Sequence, residues 1–193
     1  MPEPAEESAS RTKRSSSANF ALTVIAVALA GFVLMRIIAG GIGTARESGG
    51  LQPGNPAPPI AAAGWINGAA PTPETLAGKV VVVEAWATWC GPCRRRAPEL
   101  VRTHNKFHGR DVVFIGLTAE GATSLDQIHQ FLNATGIEWL NGYGAMETLR
   151  GLQAELIPAA WVIDHNGMVV WNDDSSESLD KAIENALLAA EGA

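Results

Sequence analysis

Two cysteines, Cys90 and Cys93, are all the chain has, and histidines number four. So few cysteines exclude a disulfide framework and leave a four-ligand zinc site without its second pair. His104 and His108 fall on the helix expected after Cys93, too far along it, at about 1.5 Å per residue, to share a metal with that sulfur. No histidine stands at a readable spacing from a nucleophile. Cations are scarce as well: from Leu51 onward nine Lys and Arg face sixteen Asp and Glu, within a formal charge of −6 for the whole chain. That balance excludes a basic face for nucleic acid. Charged residues make up 18% against 47% apolar, the composition of a globular chain. No internal repeat or low-complexity tract is present, and 193 residues suit one domain of ordinary size plus a tail.

What the chain does have is a run of four valines, Val80 to Val83, leading through Glu84-Ala85-Trp86-Ala87-Thr88-Trp89 to Cys90-Gly91-Pro92-Cys93. The valines read as a strand buried on both faces, in the middle of an α/β sheet. Gly91-Pro92 suits a tight turn into a helix. A dithiol delivered by a strand to a helix start is placed for redox chemistry, because unpaired backbone N–H groups and the helix dipole favour a thiolate there. Cys90, at the cap, is expected to be the more exposed and to attack; Cys93, one turn on and nearer the core, is expected to resolve the mixed disulfide. The alternatives are a metal site, or a structural staple closing a short loop and contributing only about 2 kcal/mol.

Glu84 lies inside the valine strand, six residues before Cys90. Ionising a carboxyl there is expensive, so its pKa should rise. Beneath the dithiol it can pass a proton to or from Cys93, directly or through a water. The alternative is that strand alternation turns it toward a solvated edge.

Residues 1–19, rich in Ser, Ala, Glu and Pro, are expected to be a disordered cytoplasmic tail. Residues 20–42 are apolar apart from Arg36; as one helix they would reach about 35 Å, enough to span a bilayer, with Arg36 snorkelling from near the far end. Arg11, Lys13 and Arg14 just ahead place the N-terminus in the cytoplasm and the rest outside. Gly43-Thr44-Ala45 keeps open a cleaved signal peptide. Either way the dithiol would face an oxidising, extracytoplasmic compartment. Residues 43–59 form a Gly/Pro-rich linker.

Residues 60–78 are expected to form a hairpin or an extended strap. The central strand takes 79–86, a helix kinked at Pro98 takes 93–108, and a second buried strand takes 111–118. A helix over 123–135 ends at Gly136. A short strand over 137–140 and a helix over 146–156 complete an insertion. Strands 160–163 and 168–171 pair across Asp164-His165-Asn166-Gly167, where Asn-Gly signals a turn. A helix over 179–190, capped by Ser178 or Ser176, closes the chain. The tryptophans at 65, 139, 161 and 171 read as core or rim.

Trp89-Cys90-Gly91-Pro92-Cys93 resembles the thioredoxin active site, and the surrounding chain is similar to the TlpA/ResA-like branch, membrane-tethered thioredoxin-like reductases of bacteria. Gly54-x-x-Ala57-Pro58, Leu76-x-Gly78-Lys79, the block from Trp86 to Cys93, and Ile157-Pro158-x-x-Trp161-Val162-Ile163-Asp164-x-x-Gly167 carry the likeness. With the element order it implies an α/β, thioredoxin-like sandwich over 60–193: a central mixed sheet flanked by helices, with an N-terminal hairpin extension and a helical insertion, preceded by one transmembrane helix.

The resemblance implies a cis peptide before Pro158, with the Ile157 backbone and the Pro158 face forming one wall of a substrate groove and Trp89 another. Gly91 and Pro92 join them as substrate-binding residues. It implies the proton role for Glu84, since thioredoxins carry a buried acid there, usually Asp. It implies no cofactor beyond the redox-active Cys90–Cys93 disulfide. It further implies protein disulfides as substrates, apocytochrome c or a copper-site assembly protein among them, and a DsbD/CcdA-type membrane protein as electron donor. The domain would stand on the periplasmic side of a bacterial inner membrane. Gly-Pro between the cysteines resembles the reducing thioredoxins; a dithiol oxidase or isomerase, and a metallochaperone holding Cu(I) on the dithiol, are the alternatives. One departure is Arg94-Arg95-Arg96, because many relatives carry an acid where Arg96 stands. The three cations either favour the Cys90 thiolate or form a solvated face, at a few tenths of a kcal/mol each against the helix dipole.

Overall fold

Six strands of the described residues share one mixed sheet, and the apolar runs decide its order. The computed structural model describes residues 49–192. Along the chain come β1 (Gly64–Ile66), α1 (Pro73–Leu76), β2 (Val80–Ala85), α2 (Gly91–Phe107) and β3 (Val112–Thr118). A 3-10 turn (Ala122–Ser124) precedes α3 (Leu125–Thr135), followed by β4 (Leu140–Tyr143), α4 (Met146–Gly151), β5 (Ala159–Ile163), β6 (Val169–Asn172) and α5 (Leu179–Glu191). The sheet runs β1-β4-β3-β2-β5-β6. β2 lies parallel to β3 on one side and antiparallel to β5 on the other, so both its edges are paired and all six of its residues are buried. β-branched valine suits such a position, stiff at χ1 and apolar on both faces.

Strand alternation then sorts two cores. Val80, Val82 and Trp86 turn to the face covered by α2, α3 and α5, with Leu100, Phe107, Phe131 and Ile183. Val81, Val83 and Ala85 turn to the other, with Leu149 of α4, Leu152 and Trp161. Ser178 caps α5, its hydroxyl accepting from the Lys181 amide, and Gly136 ends α3 in the left-handed conformation. These follow the expected pattern, and the thioredoxin-like α/β fold stands.

Several elements differ from expectation. Residues 60–78 form no hairpin: β1 is one three-residue strand added antiparallel to β4, and a short helix capped by Thr72 follows it. β4 occupies 140–143 rather than 137–140, because the residues that pair with β3 and β1 are Leu140 to Tyr143. The Asn141 amide group donates to the Trp139 carbonyl and its Oδ1 accepts from Trp86 Nε1, while a Cβ on Gly142 would press on Ala62 and Trp65. α4 stops at Gly151, five residues early. α2 runs on through Pro98 and starts at Gly91, since Cys90 is its cap. Residues of the expected linker are fastened to the fold: Leu51 is buried and bonded to the Leu152 carbonyl, and Pro56 bridges Met168. The expected tail over 1–19 and membrane helix over 20–42 lie outside the described residues. Among the described residues no helix is long and apolar enough to cross a membrane.

Gly116 on β3 faces Glu84 across the β2–β3 pairing. A Cβ there would overlap Asn141 Oδ1 and reach 2.9 Å from Trp86 Nε1, two atoms that are themselves hydrogen-bonded at 3.0 Å. Gly116→Ala should therefore cost about 2–3 kcal/mol through overpacking and a lost buried hydrogen bond, read as a lower urea midpoint at unchanged m-value.

Candidate active site

The dithiol sits where the parallel strands end. β2 stops at Ala85, and the short turn through Trp86 and Trp89 delivers Cys90 to the first turn of α2. Cys90 is the N-cap: its Sγ accepts the Cys93 amide at 3.1 Å, so one of the helix's unpaired N–H groups points at the sulfur. The two cysteines are bonded as a disulfide. Cys90 was expected to be the more exposed, but both are buried, at 3% and 1%. Both sulfur-bearing residues belong to the buried cluster that includes Trp86, Ala87 and Ala97. The rim around it is open instead: Trp89 is 74% exposed, and Gly91 and Pro92 are exposed too.

The antiparallel register brings the second wall. Ala159, the first residue of β5, pairs with Ala85, the last of β2, so the residue before it arrives beside the dithiol turn. That residue is Pro158, and the Ile157–Pro158 peptide is cis. A cavity of about 560 Å³ opens between Trp89 and Ile157, floored by Trp86 and Ala87 and bounded by Met146, Leu149 and Ala154. Met146 of this lining and Leu156, between the lining residues Glu155 and Ile157, are exposed apolar side chains. Of the expected groove residues, Trp89 and Ile157 line this opening, whereas Gly91, Pro92 and Pro158 are not part of its lining.

Glu120 escaped the sequence reading. From the loop after β3 its carboxylate accepts the Thr88 amide at 2.7 Å, the Thr88 hydroxyl at 2.6 Å and the Thr118 hydroxyl at 3.1 Å. It clamps the turn that carries Trp89 and Cys90. Its only signal in sequence was its place just past a parallel strand's carboxyl end, where α/β sites gather.

Glu84 is 3% exposed, and Oε2 is buried with no hydrogen-bond partner. Its place between Val82 and Trp86 puts it on the face that holds Cys90, Cys93 and Ala97, not on a solvated edge. Burial pushes its pKa up to about 8; Arg96 pulls it down and Asp173 adds to the rise. Arg96 therefore does not belong to a solvated cationic face. Its guanidinium grips Asp173 with two bonds of 2.6 Å, whereas Arg94 and Arg95 are exposed. The spacing signal was present: Cys93, Arg96, Ala97 and Leu100 stand at i, i+3, i+4 and i+7, one helix face. Among the described residues no group of three His, Cys, Asp or Glu could hold a metal ion.

The profile of the family called Redoxin matches residues 52–187. The chain belongs to the Redoxin family. Within it, this redoxin is 32% identical over 136 residues to Protein FixW of Rhizobium leguminosarum, covering 64% of this chain and 61% of that protein. It is 26% identical over 98 residues to the thiol-disulfide oxidoreductase ResA of Bacillus anthracis, covering 50% of this chain and 56% of ResA. It therefore spans a little over half the length of these curated relatives. The solution structure of a putative protein disulfide isomerase from Bacteroides thetaiotaomicron superposes with a TM-score of 0.62 at 25% identity, covering 75% of this chain and 97% of that one. The likeness to the TlpA/ResA-like branch is thereby borne out.

Proposed function

We propose that this redoxin is a thiol-disulfide oxidoreductase that reduces disulfides of partner proteins. The observation that carries the reading is the Cys93 amide on the Cys90 sulfur at a helix cap, beside an open apolar groove. The same amide and the helix dipole stabilise negative charge on Cys90 once the bond is reduced. The Cys90 thiolate attacks a partner disulfide, forming a mixed disulfide and expelling one partner thiolate. Cys93 then loses its proton to the Glu84 carboxylate, left ionised when the disulfide was opened, and attacks the Cys90 sulfur, expelling the second. Two electrons have passed to the partner, and the Cys90–Cys93 bond is restored. A dithiol donor reverses the cycle: as its thiolate opens the disulfide, Cys93 leaves as a thiolate and takes the proton held on Glu84. A carboxyl that titrates at about 8 is neutral at cellular pH, the state this step needs.

An extended partner segment runs past Ile157 and Pro158, its side chain in the cavity under Trp89. The apolar run over residues 20–42 with Arg11, Lys13 and Arg14 ahead of it supports reading the chain as anchored with its domain outside the cytoplasmic membrane. A DsbD/CcdA-type donor and apocytochrome c or copper-site partners extend the family likeness. The test is chemical. Reduced protein should cleave insulin disulfides one per chain without added thiol, and iodoacetamide should modify Cys90 faster than free cysteine at neutral pH. Copper retained through gel filtration without insulin cleavage, or a Cys90 no more reactive than free cysteine, would overturn it.

A further inference from the structure

Arg96 stands one turn after Cys93 on the buried side of α2, and a second charge anchors it there. Asp173, just past β6, takes both guanidinium bonds and also accepts the Ala160 amide at 2.8 Å through Oδ2. Ala160 is the residue paired directly with Glu84 across β2 and β5. A carboxylate fixed to the strand opposite Glu84 thereby holds the arginine of the dithiol helix beside the buried acid. The apolar residues packed on this face include Leu179, Ala182 and Ile183 from α5, Phe114 from β3, Val162 from β5 and Ala97 from α2, and His104 meets the Phe114 ring edge-on at 5.1 Å. The charges that act on Glu84 are those of Arg96 and Asp173. Glu99 is the remaining charge that acts on Arg96. A half-buried ion pair is weak evidence for stability, since desolvation offsets much of its attraction. Its position beside an acid whose Oε2 lacks a hydrogen-bond partner gives it another use.

We propose that the Arg96–Asp173 ion pair is a positioning device that sets how tightly Glu84 holds its proton, by limiting how much of the arginine's charge reaches the acid. While Asp173 grips both arms of the guanidinium, it neutralises much of the cation's field at Glu84, and burial keeps the acid protonated. Remove the anion, and the arginine stabilises the Glu84 carboxylate. Remove the cation, and nothing opposes burial. The two residues act in opposite directions on one proton, as the sign of each charge requires: Arg96 lowers the acid's pKa and Asp173 raises it.

The inference rests on Glu84 serving the dithiol, and the experiment keeps the two apart. The protonated carboxyl stretch of Glu84, identified by its loss in Glu84→Gln, is titrated by infrared difference spectroscopy in the oxidised protein. Arg96→Gln should raise the midpoint by about one pH unit and Asp173→Asn should lower it by about as much, while Arg96→Lys, which keeps a cation, should stay nearer the parent. Urea midpoints confirm that each variant is folded. An ion pair that only braces the fold would lower both urea midpoints and leave both titrations in place, or move them the same way; either result overturns the proposal. The pH profile of insulin reduction is the separate readout. Opposed infrared shifts without matching shifts in the rate profile would uphold the coupling and remove Glu84 from the proton path.

Discussion

Cys93→Ser should turn the protein into a trap. In the reduced variant Cys90 keeps its cap position and remains free to attack a partner disulfide, but no sulfur stands behind it to release the adduct. Turnover should fall to a single covalent event per chain, visible as a species on non-reducing gels that dithiothreitol dissolves. Cys90→Ser should form no adduct, because the sulfur at the helix cap, the one expected to attack, is gone. The variant also tests the burial of Cys90. Cys90 is buried in the oxidised protein; with the bond absent it should alkylate readily in Cys93→Ser, beside the exposed Trp89. The same adducts forming through Cys93 in Cys90→Ser would reverse the assignment of roles.

The features legible in the sequence were those that a short stretch of chain determines. The valine run placed β2, the C-x-x-C placed the helix cap, and Glu84 stood out because a charge inside an apolar run has few explanations. The cis peptide before Pro158 came only through resemblance, since nothing local distinguishes it from any proline entering a strand. What escaped depends on distant partners. Asp173 lies 77 residues from Arg96, and no local pattern joins them. The three consecutive arginines read as a charged surface, although the helical repeat turns the third of them inward beside Ala97. Glu120 holds Thr88 across 32 residues for the same reason. β1 is three residues long, too short for a period, and its place depends on Gly64 lying flush against the Tyr143 ring, where a Cβ would collide. The sequence pattern puts β4 three residues early because Asn141 is held in the strand by Trp86, a contact made across 55 residues.

Stability of the oxidised protein should fall as pH rises from the ordinary carboxylate range to about 8, and Glu84→Gln should flatten that fall. Burial raises the pKa of Glu84 in the folded chain, whereas the unfolded chain exposes it to water. Between the two pKa values the folded state holds a proton that the unfolded state has released. Raising the pH then favours the unfolded state, by about 1.4 kcal/mol per pH unit for this one group. The contribution is whole below the unfolded value and is spent once pH passes the folded one. The disulfide does not titrate, so neither cysteine enters this window in the oxidised form. Glutamine keeps the size and the neutral polarity of the protonated acid without a titration. Urea midpoints of the two proteins should therefore run close together in mild acid and separate as pH climbs, with Glu84→Gln the more stable by a few kcal/mol above about 8. That gap is a sizeable part of the 5–15 kcal/mol, roughly, that holds a domain folded. Parallel curves would mean that Glu84 is already ionised at neutral pH, compensated by Arg96, and the acid could not then supply the proton that Cys93 takes when the disulfide opens.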